Sequence, residues 1–461
     1  MSAKLVTLLG VERSRRAVFL RFGVDDLRFS TTHWYEHLDL DALAVSHGEE
    51  SVERLLFHMA MFELNKLCSL RPERVALGPW TRFLTPALLD LWRAVFVNVW
   101  AQWRYENDDP DYLGPDFDSP TNDLLAPLAP AERAEVDALV FCGGGKDSLA
   151  TMRLLEASGL RFDTLGYAAS IYGPADAQHA LIDGLVSRCA PRRHLRQWVY
   201  DDFVDAPVLK LVDGAPRTIT AAETPSSVFA ALPLAVSNGY ARLALGHERS
   251  ADAGQRRWER TGEVINHQWG KSRAAEAMID RYVREHLVAG VECFSPLRPI
   301  HDVVIFGALR QWPDDVPFTH SCNLKKPWCL RCPKCLYVWL GCAAMLPREV
   351  VRATFGDDGL LADPSRTAGF EALLGEYAQP FECIGHAAEA RIYLAACAAR
   401  GYEGETVTRF VERYGAPRET LALAEGYTDV DVSALPEALR GRLGEVLERV
   451  AQETRGFLRG L

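Results

Sequence analysis

The 461-residue sequence lacks any apolar run long enough to cross a membrane. Its longest such run, near residues 336–346, is about half of the roughly 20 residues that a spanning helix needs. The first residues contain Glu12 and several arginines, and they lack the apolar core and cleavage site of a secretory signal. We therefore expect a cytoplasmic protein without a membrane partner.

The sequence also lacks an excess of positive charge, because 51 basic residues face 62 acidic ones and the net charge is −11. A general nucleic-acid binder carries a basic field, so a nucleic-acid partner is not expected. Lysine itself is scarce and supplies eight of the 51 basic residues. Five of those eight lie in the three motifs described below, where an ammonium group has chemical uses that arginine does not share.

Cysteine is too infrequent for a disulfide scaffold, with 11 in the whole chain. Four of them form the pattern Cys322-x6-Cys329-x2-Cys332-x2-Cys335. In a cytosolic chain such clustering favours a metal site or catalysis over disulfides. Four thiolates at this spacing can close a tetrahedral site, and structural zinc is the leading candidate. An iron–sulfur cluster uses the same ligands, and two thiols acting as acid and base of a stereoinversion are a third interpretation.

The composition divides the chain into three predicted domains. Residues 1–130 are rich in aromatics and predict an α+β domain for packing or substrate recognition, with strands in 18–28, helices in 51–70 and 86–103, and a linker from 107. Residues 131–345 alternate short apolar runs with helical patterns, and residues 346–461 are mostly helical.

The alternation in the middle region predicts an α/β fold, a parallel twisted sheet with helices on both faces. The predicted strands are 136–141, 162–168, 195–200, 241–245 and 291–294. The predicted helices are 148–158, 175–189, 224–238 with Thr224 as cap, and 272–288, followed in the last region by 370–377, 387–400, 407–414 and 435–459.

A glycine-rich loop joins the first of these strands to the first of these helices and reads Gly143-Gly144-Gly145-Lys146-Asp147-Ser148. Glycines let a backbone approach a phosphate closely, a helix start offers unpaired N–H groups, and Lys146 adds a positive charge. Ser148 is expected to donate a hydroxyl at the helix start. The spacing fits neither a Walker A loop nor a dinucleotide fingerprint, so we interpret it as another kind of nucleotide-binding loop.

This loop resembles the Ser-Gly-Gly-x-Asp-Ser signature of the PP-loop ATP pyrophosphatase superfamily, with Gly143 in place of the opening serine. The resemblance covers about residues 135–310, where Ser295-Pro296-Leu297 also looks like a late element of that superfamily. It implies ATP cleaved between the α- and β-phosphates, with Mg2+, and AMP transferred to an oxygen of the substrate.

Two polar stretches, 246–252 and 263–272, follow the fourth predicted strand, at the edge where open α/β sheets bind ligands. His247, Glu248 and His267 are candidates for proton transfer or Mg2+ binding. Arg249 and Lys271 are candidates for binding an anionic substrate. The plainer interpretation is a polar loop whose side chains bond to their own backbone.

Together, the stretches 143–148, 246–254, 263–272, 327–335 and 381–385 resemble the UDP-N-acetylmuramoyl-L-alanyl-L-glutamate epimerase (MurL) family. The resemblance implies ATP-dependent inversion of the terminal L-glutamate of UDP-MurNAc-L-Ala-L-Glu through an acyl-adenylate, in peptidoglycan precursor synthesis. Two other functions stay open. One is a PP-loop enzyme that forms an amide, a nitrile or a thiolated base, and the other is a protein that binds a nucleotide without turnover. The oligomeric state is not predicted.

Overall fold

In the computed structural model, which describes residues 3–129, 133–212 and 216–461, ten of the described strands form one mixed sheet and two form a small antiparallel pair. The strands are β1 (Leu5–Ser14), β2 (Ala17–Val24), β3 (Leu27–Tyr35), β4 (Arg74–Ala76), β5 (Asp116–Phe117), β6 (Ala138–Cys142), β7 (Phe162–Ala169), β8 (His194–Asp201), β9 (Arg242–Ala244), β10 (Arg256–Arg257), β11 (Val264–Ile265) and β12 (Glu292–Phe294). Strands β10 and β11 make up the separate pair.

Five parallel strands form one half of the sheet, in the order β12-β9-β6-β7-β8. The sheet continues through antiparallel β3, β2 and β1 to the parallel edge strands β4 and β5. Strand β6 is apolar throughout, and Leu139 packs into the core on one face while Val140 packs into the core on the other. A parallel strand that is covered on both faces needs no polar alternation, and the predicted α/β fold is confirmed.

Helices cover both faces of the sheet. They are α1 (Leu40–His47), α2 (Glu49–Leu64), α3 (Pro86–Val99), α4 (Ala101–Asn107), α5 (Lys146–Ala157), α6 (Ala175–Val186), α7 (Asp202–Asp205), α8 (Val208–Leu211), α9 (Glu223–Asn238), α10 (Arg273–Tyr282), α11 (Asp302–Ala308), α12 (Pro333–Met345), α13 (Arg348–Phe355), α14 (Pro364–Ala372), α15 (Ala387–Ala399), α16 (Glu405–Tyr414), α17 (Pro417–Leu421), α18 (Ala424–Tyr427) and α19 (Glu437–Arg459). Across the three described ranges, no helix has both the length and the apolar composition to span a bilayer.

The predicted strands of the middle region are confirmed to within two residues, but the pattern of the first region misses strand β1. It also ends β3 too early, at residue 28 rather than at Tyr35. Both strands alternate buried and exposed side chains, which is a weaker signal than the continuous apolar run of the buried parallel strand β6.

Some predicted helix boundaries are wrong, each for a local reason. Helix α9 begins at Glu223 with Ala222 as its cap, so Thr224 is not the cap and Pro225 lies in the first turn. The first N–H groups of a helix have no partner within it, so this proline costs no hydrogen bond. The helix predicted at 370–377 is displaced toward the N-terminus: α14 starts at Pro364, where Asp363 caps its first turn, and it ends at Ala372.

Four other predicted helices are interrupted or end early. The helix predicted at 86–103 divides at Trp100 into α3 and α4, and the one predicted at 51–70 changes to a 3-10 helix after Leu64. The helix predicted at 272–288 changes to a π-helical turn after Tyr282. The helix predicted at 175–189 ends at Val186, where Ser187 Oγ donates to the carbonyl of Gly184 (2.7 Å) and competes with the helical hydrogen bonds.

The N-terminal region joins the central sheet directly. Strand β3 pairs with β8, with His33 opposite Val199. Beside this junction, the buried Lys66 forms ion pairs with Glu63 and Asp201. The predicted boundary near residues 130–131 lies outside the described residues, and the three-domain division stays a prediction.

The C-terminal region is mainly helical, as predicted, and covers the sheet face that carries α5. Trp339 of α12, Tyr393 of α15 and Leu447 of α19 share one core with Val140 of β6. The C-terminal helices therefore pack against β6, the strand that leads directly into the glycine loop.

Candidate active site

The glycine loop lies between β6 and α5, as predicted. Helix α5 begins at Lys146, with Gly145 as its cap residue. Ser148 Oγ accepts a hydrogen bond from the backbone N–H of Gly143 (3.1 Å) and closes the loop. A hydroxyl that accepts a hydrogen bond keeps its own hydrogen for another acceptor, so the donor role of Ser148 stays a prediction. Gly143 is exposed, and a side-chain carbon there would meet open space, so the loop has room for the serine that the superfamily signature carries.

Gly144 is the position where the loop requires glycine. Its φ is +86°, and a Cβ there would lie 1.9 Å from the imidazole of His320. The N–H of His320 donates to the carbonyl of Gly144 (2.8 Å), so His320 covers the loop at close range. Burial lowers the pKa of His320 to about 4, which keeps its ring neutral. Sequence reasoning missed His320, although it lies two residues before the first cysteine of the cluster.

A cavity of about 300 Å³ opens beside this loop, at the carboxyl ends of the parallel strands. We call it the first cavity. Among the described residues that line it, the polar ones and glycines are Gly143, Gly145, Asp147, Ser148, Tyr167, Tyr172, Gln197, Glu223, Thr224, Ser227, Gly246, His247, Lys271, His320, Ser321, Asn323, Lys326 and Lys334. The loop predicted for the nucleotide and part of the second polar cluster therefore face the same space.

Lys146 does not face the first cavity. Its Nζ donates to Asp147 Oδ1 (2.6 Å) and to the buried Asp302 Oδ1 (2.5 Å) beneath the loop. Burial lowers the pKa of Lys146, but these two carboxylates raise it overall, so the ammonium group is charged and neutralised in place. The Lys146 side chain therefore stabilises the conformation of the glycine loop, and other lysine side chains face the first cavity.

Those cations are Lys271, Lys326 and Lys334, which all line the first cavity. Lys271 follows β11 in the chain, while Lys326 and Lys334 belong to the cysteine-rich stretch. Three ammonium groups around one cavity suit an anionic ligand with several phosphates. Of these, sequence analysis named only Lys271, as a substrate-binding candidate.

Two carboxylates near the loop differ in environment. Asp147 lines the first cavity, with a third of its side chain exposed, and is placed to meet a divalent cation. Glu248 is buried and does not appear in the lining. Burial, together with the charges of Asp302 and Asp147, raises the pKa of Glu248. It can therefore hold a proton near neutral pH, but it lies behind the cavity wall.

His247 lines the first cavity, as expected for a site residue. Its backbone N–H donates to Ser295 Oγ (2.8 Å), and its ring Nδ1 lies 3.6 Å from Glu276 Oε2. Burial lowers the pKa of His247, an effect that Glu276 only partly opposes. His247 is thus a neutral imidazole at the cavity wall.

The buried Arg298 fixes the two polar loops relative to one another. Its guanidinium donates to the carbonyl oxygens of Glu248 (3.0 Å) and of Lys271, and to Glu276 Oε2 (3.2 Å). Arg249, predicted to bind an anionic substrate, is not among the described residues that line the first cavity. Its guanidinium instead forms an ion pair with Asp429 (2.8 Å).

A second cavity of about 360 Å³ adjoins the first. The two share the lining residues Tyr172, Glu223, Thr224, Lys271, Asn323 and Lys334. His267 lines only the second one, so the structure separates it from His247. Val99 and Gln102 of the N-terminal region also line it, which gives that region a place in the site. One ligand that filled both cavities would extend from the glycine loop to His267.

Cys383 lines the second cavity, and sequence analysis gave it no role beyond its place in a family-like stretch. The ligand atoms of Cys383, His267 and Glu382 all lie within 4.8 Å of one another. Burial raises the pKa of the Cys383 thiol, but Lys271, Lys334 and the hydrogen bond with His267 outweigh it and lower the pKa to about 5. A thiolate therefore faces the second cavity at neutral pH.

The four cysteines of the cluster converge as their spacing predicts. Their Sγ atoms all lie within 4.8 Å of one another, at 3.9 Å for Cys322 and Cys332 and 3.7 Å for Cys329 and Cys335. Sulfurs at about 2.3 Å from one tetrahedral ion are roughly 3.8 Å apart, so the donor set fits a single zinc ion. Thiolates of an iron–sulfur cluster bind separate irons and would stand further apart.

The cysteine cluster also shapes the cavity wall. Asn323 and Lys326 lie between its first two cysteines, Lys334 lies between its last two, and all three residues line the first cavity. The backbone N–H groups of Leu324 and Lys325 point to Cys322 Sγ (3.4 and 3.3 Å), as they would around a metal-bound thiolate.

Comparison with known proteins places two family models on the chain: the MurL N-terminal domain on residues 220–296 and the MurL C-terminal domain on residues 317–421. The first match contains Glu223, His247, His267 and Lys271, and the second contains His320, the cysteine cluster and Cys383. The glycine loop lies outside both matches. No solved structure matches the chain.

Three curated proteins similar to this chain carry the name UDP-N-acetyl-alpha-D-muramoyl-L-alanyl-L-glutamate epimerase. The one from Salinispora tropica is 30% identical over 326 residues, which is 68% of this chain and 66% of the relative. The one from a Micromonospora species is 29% identical over 318 residues (66% of each chain), and the one from Xanthomonas oryzae pv. oryzae is 32% identical over 304 residues (62% of each). This chain thus spans just under two thirds of the first two relatives and 62% of the third, and it is similar to these epimerases and to both MurL domain models.

Proposed function

We propose that this protein inverts the terminal L-glutamate of UDP-N-acetylmuramoyl-L-alanyl-L-glutamate, a peptidoglycan precursor, at the expense of ATP. The names of its relatives support the substrate and the inversion. The observation that carries the ATP-dependent mechanism is the pair of adjoining cavities, one beside the glycine loop and three lysines, the other beside a thiol and an imidazole.

The chemistry explains why an epimerase would need a nucleotide. The Cα–H bond of glutamate lies next to an ionised carboxylate, and its removal would place a carbanion beside an existing negative charge. Positioned acid–base groups supply about 10²–10⁴-fold in rate, so activation of the carboxylate would supply much of the remaining acceleration. Adenylation removes the charge of the carboxylate and turns it into a mixed acyl-phosphate anhydride whose enolate is accessible.

The proposed reaction has three steps. A carboxylate oxygen attacks the α-phosphorus of ATP, a new O–P bond forms, and the bond to the β-phosphate oxygen breaks to release pyrophosphate. A base then takes the Cα proton, the electron pair moves to the carbonyl oxygen as an enolate, and an acid returns a proton on the other face. Water finally attacks the acyl carbon, and the bond to the AMP oxygen breaks.

The chain's own groups fit the first step. The N–H groups at the start of α5 and the exposed backbone at Gly143 form the phosphate side of the first cavity. Lys271, Lys326 and Lys334 neutralise the phosphates, and Asp147 is the group that would hold Mg2+ there. Bound Mg2+ would offset charge on the triphosphate. His247 also lines this first cavity, where its neutral ring can donate one hydrogen bond and accept another.

We assign the cysteine cluster to one structural zinc ion. Cys322, Cys329, Cys332 and Cys335 would hold it, and its contribution would be to order the stretch that presents Lys326 and Lys334 to the cavity. A closed site of four thiolates leaves no open position for substrate, in agreement with a structural role.

The proposal is tested with purified protein, Mg-ATP and UDP-MurNAc-L-Ala-L-Glu in D2O. The assay follows AMP, deuterium at Cα and the configuration of the terminal glutamate of the product. We expect AMP, pyrophosphate and deuterated D-glutamyl product in equal amounts. AMP without inversion would contradict the epimerase assignment and favour an ammonia- or sulfur-dependent PP-loop reaction. No AMP would contradict the ATP-dependent mechanism.

A further inference from the structure

The second cavity contains groups that the adenylation step does not use. Besides the shared lysines, these are the Cys383 thiol, the imidazole of His267 and the carboxyl of Glu223, all in its lining. A ligand carboxylate that reaches the α-phosphorus in the first cavity would bring its own Cα toward this space, because the two cavities share a wall.

The loop that carries Cys383 is held firmly. Gln268 Nε2 donates to the carbonyl of Ile384 (2.7 Å), and Gln379 Nε2 donates to that of Gly385 (3.2 Å). On the other side, the backbone N–H of His267 donates to Gln255 Oε1 (2.8 Å). Both halves of the thiol–imidazole pair are therefore fixed by buried glutamines rather than by solvent.

Hydrogen bonds also fix the orientation of the imidazole. Gln102 Nε2 donates to Glu106 Oε1 (2.7 Å), which leaves Gln102 Oε1 as the acceptor for His267 Nδ1 (2.5 Å). His267 Nδ1 therefore carries a proton, and Nε2 remains for Cys383. Burial lowers the pKa of His267, but Cys383 and Glu382 raise it overall, so a protonated imidazole beside a thiolate is the favoured state.

Ionisable groups from several different segments of the chain surround Cys383. Lys271, Lys334 and His267 are positive and stabilise the thiolate, while Glu382 and Glu223 are the nearby carboxyl groups. Tyr172 donates its hydroxyl to Glu223 Oε2 (2.6 Å). Two lysines this close oppose binding of a metal cation by Cys383, His267 and Glu382, so acid–base chemistry suits the group better.

We propose that Cys383 exchanges the Cα proton of the adenylated glutamyl residue on one face, with His267 as its positioning residue. This inference rests on the proposed function. The Cα–H bond breaks, the proton passes to Cys383 Sγ, and the electron pair becomes the enolate. A proton from Glu223, the one carboxyl group among the described residues of this lining, then forms the new Cα–H bond. Water restores both groups between turnovers.

The test compares Cys383→Ala with the wild-type protein in the D2O assay, and the readout is inversion per AMP formed. Because adenylation precedes proton removal, the variant should still release pyrophosphate. Inversion per AMP should fall at least about 100-fold from a wild-type value near one. Cys189→Ala, which changes another half-buried cysteine that lines neither cavity, should keep the wild-type ratio.

Each outcome of this comparison is decisive. A Cys383→Ala protein that inverts glutamate at the wild-type ratio would overturn the inference, as would one that loses pyrophosphate release and inversion together. A wild-type protein that yields no AMP or no D-glutamyl product would instead overturn the proposed function, and the inference with it.

Alkylation gives a readout that does not depend on turnover. Iodoacetamide reacts with thiolates, so its rate at Cys383 should be constant above about pH 6 and fall as the pH drops through about 5, where the thiolate gains a proton. Lys271→Met removes a stabilising charge and should move this fall to higher pH. Cys189, whose thiol pKa burial raises to about 12, should react slowly throughout. A Cys383 rate that follows Cys189 would contradict the proposal.

Discussion

Gly144→Ala should reduce the rate of AMP formation by about 100-fold or more. The left-handed backbone at Gly144 costs a residue with a side chain about 1–2 kcal/mol, and the added carbon would collide with the His320 ring at 1.9 Å. The loop must then move away from His320, and a shift of about 1 Å near reacting atoms is enough for a 100-fold loss. Single-turnover formation of labelled AMP measures the effect.

Gly143→Ala is the matched control for this prediction. It adds the same methyl group one residue earlier, where the space is open and φ is ordinary, so the free energy of unfolding should stay within about 0.5 kcal/mol of wild type. A Gly144→Ala protein with normal AMP formation would contradict the placement of the nucleotide at this loop.

Removal of the metal from the cysteine cluster should have the largest effect on stability. The purified protein should contain one zinc ion per chain and show no visible absorption. Structural zinc contributes about 10 kcal/mol or more, which in a chain of this size corresponds to an unfolding midpoint lowered by about 10 °C. Adenylation should be lost as well, because Lys326 and Lys334 lie within the cluster. Elemental analysis and calorimetry, before and after chelation, measure both effects.

Two comparisons sharpen this prediction. Cys329→Ser should lose the metal, whereas Cys189→Ser, outside the cluster, should keep one equivalent. Bound iron with visible absorption would contradict the zinc assignment. Two zinc equivalents would contradict the acid–base role of Cys383, because the second ion would then occupy its group with His267 and Glu382.

Sequence patterns were sufficient for the parts of the fold in which one strong local signal decides the structure. The apolar run of β6 and the glycines before α5 are such signals, and both were predicted closely. Strand β1 alternates along an exposed meander, and its position beside β4 depends on pairing between distant residues. The break at Trp100 and the π-helical turn after Tyr282 likewise depend on tertiary packing rather than on local propensity.

The site shows the same division. Spacing predicted the convergence of the four cysteines and the position of Asp147, His247 and Lys271 in the first cavity. Spacing could not indicate that Lys146 turns inward to Asp302, which lies 156 residues away. Nor could it reveal that Gln102 contacts His267 across 165 residues, which places the N-terminal region in the second cavity.

The central claim is that the substrate carboxylate is activated by adenylation, and an isotope label tests it most directly. The substrate would carry 18O in both oxygens of the terminal α-carboxylate, and mass spectrometry would follow the AMP released in unlabelled water. When water attacks the acyl carbon, the bridging oxygen stays with phosphorus, so we predict one 18O atom in each AMP formed alongside D-glutamyl product. AMP without the label, at the same yield of D-glutamyl product, would contradict the account.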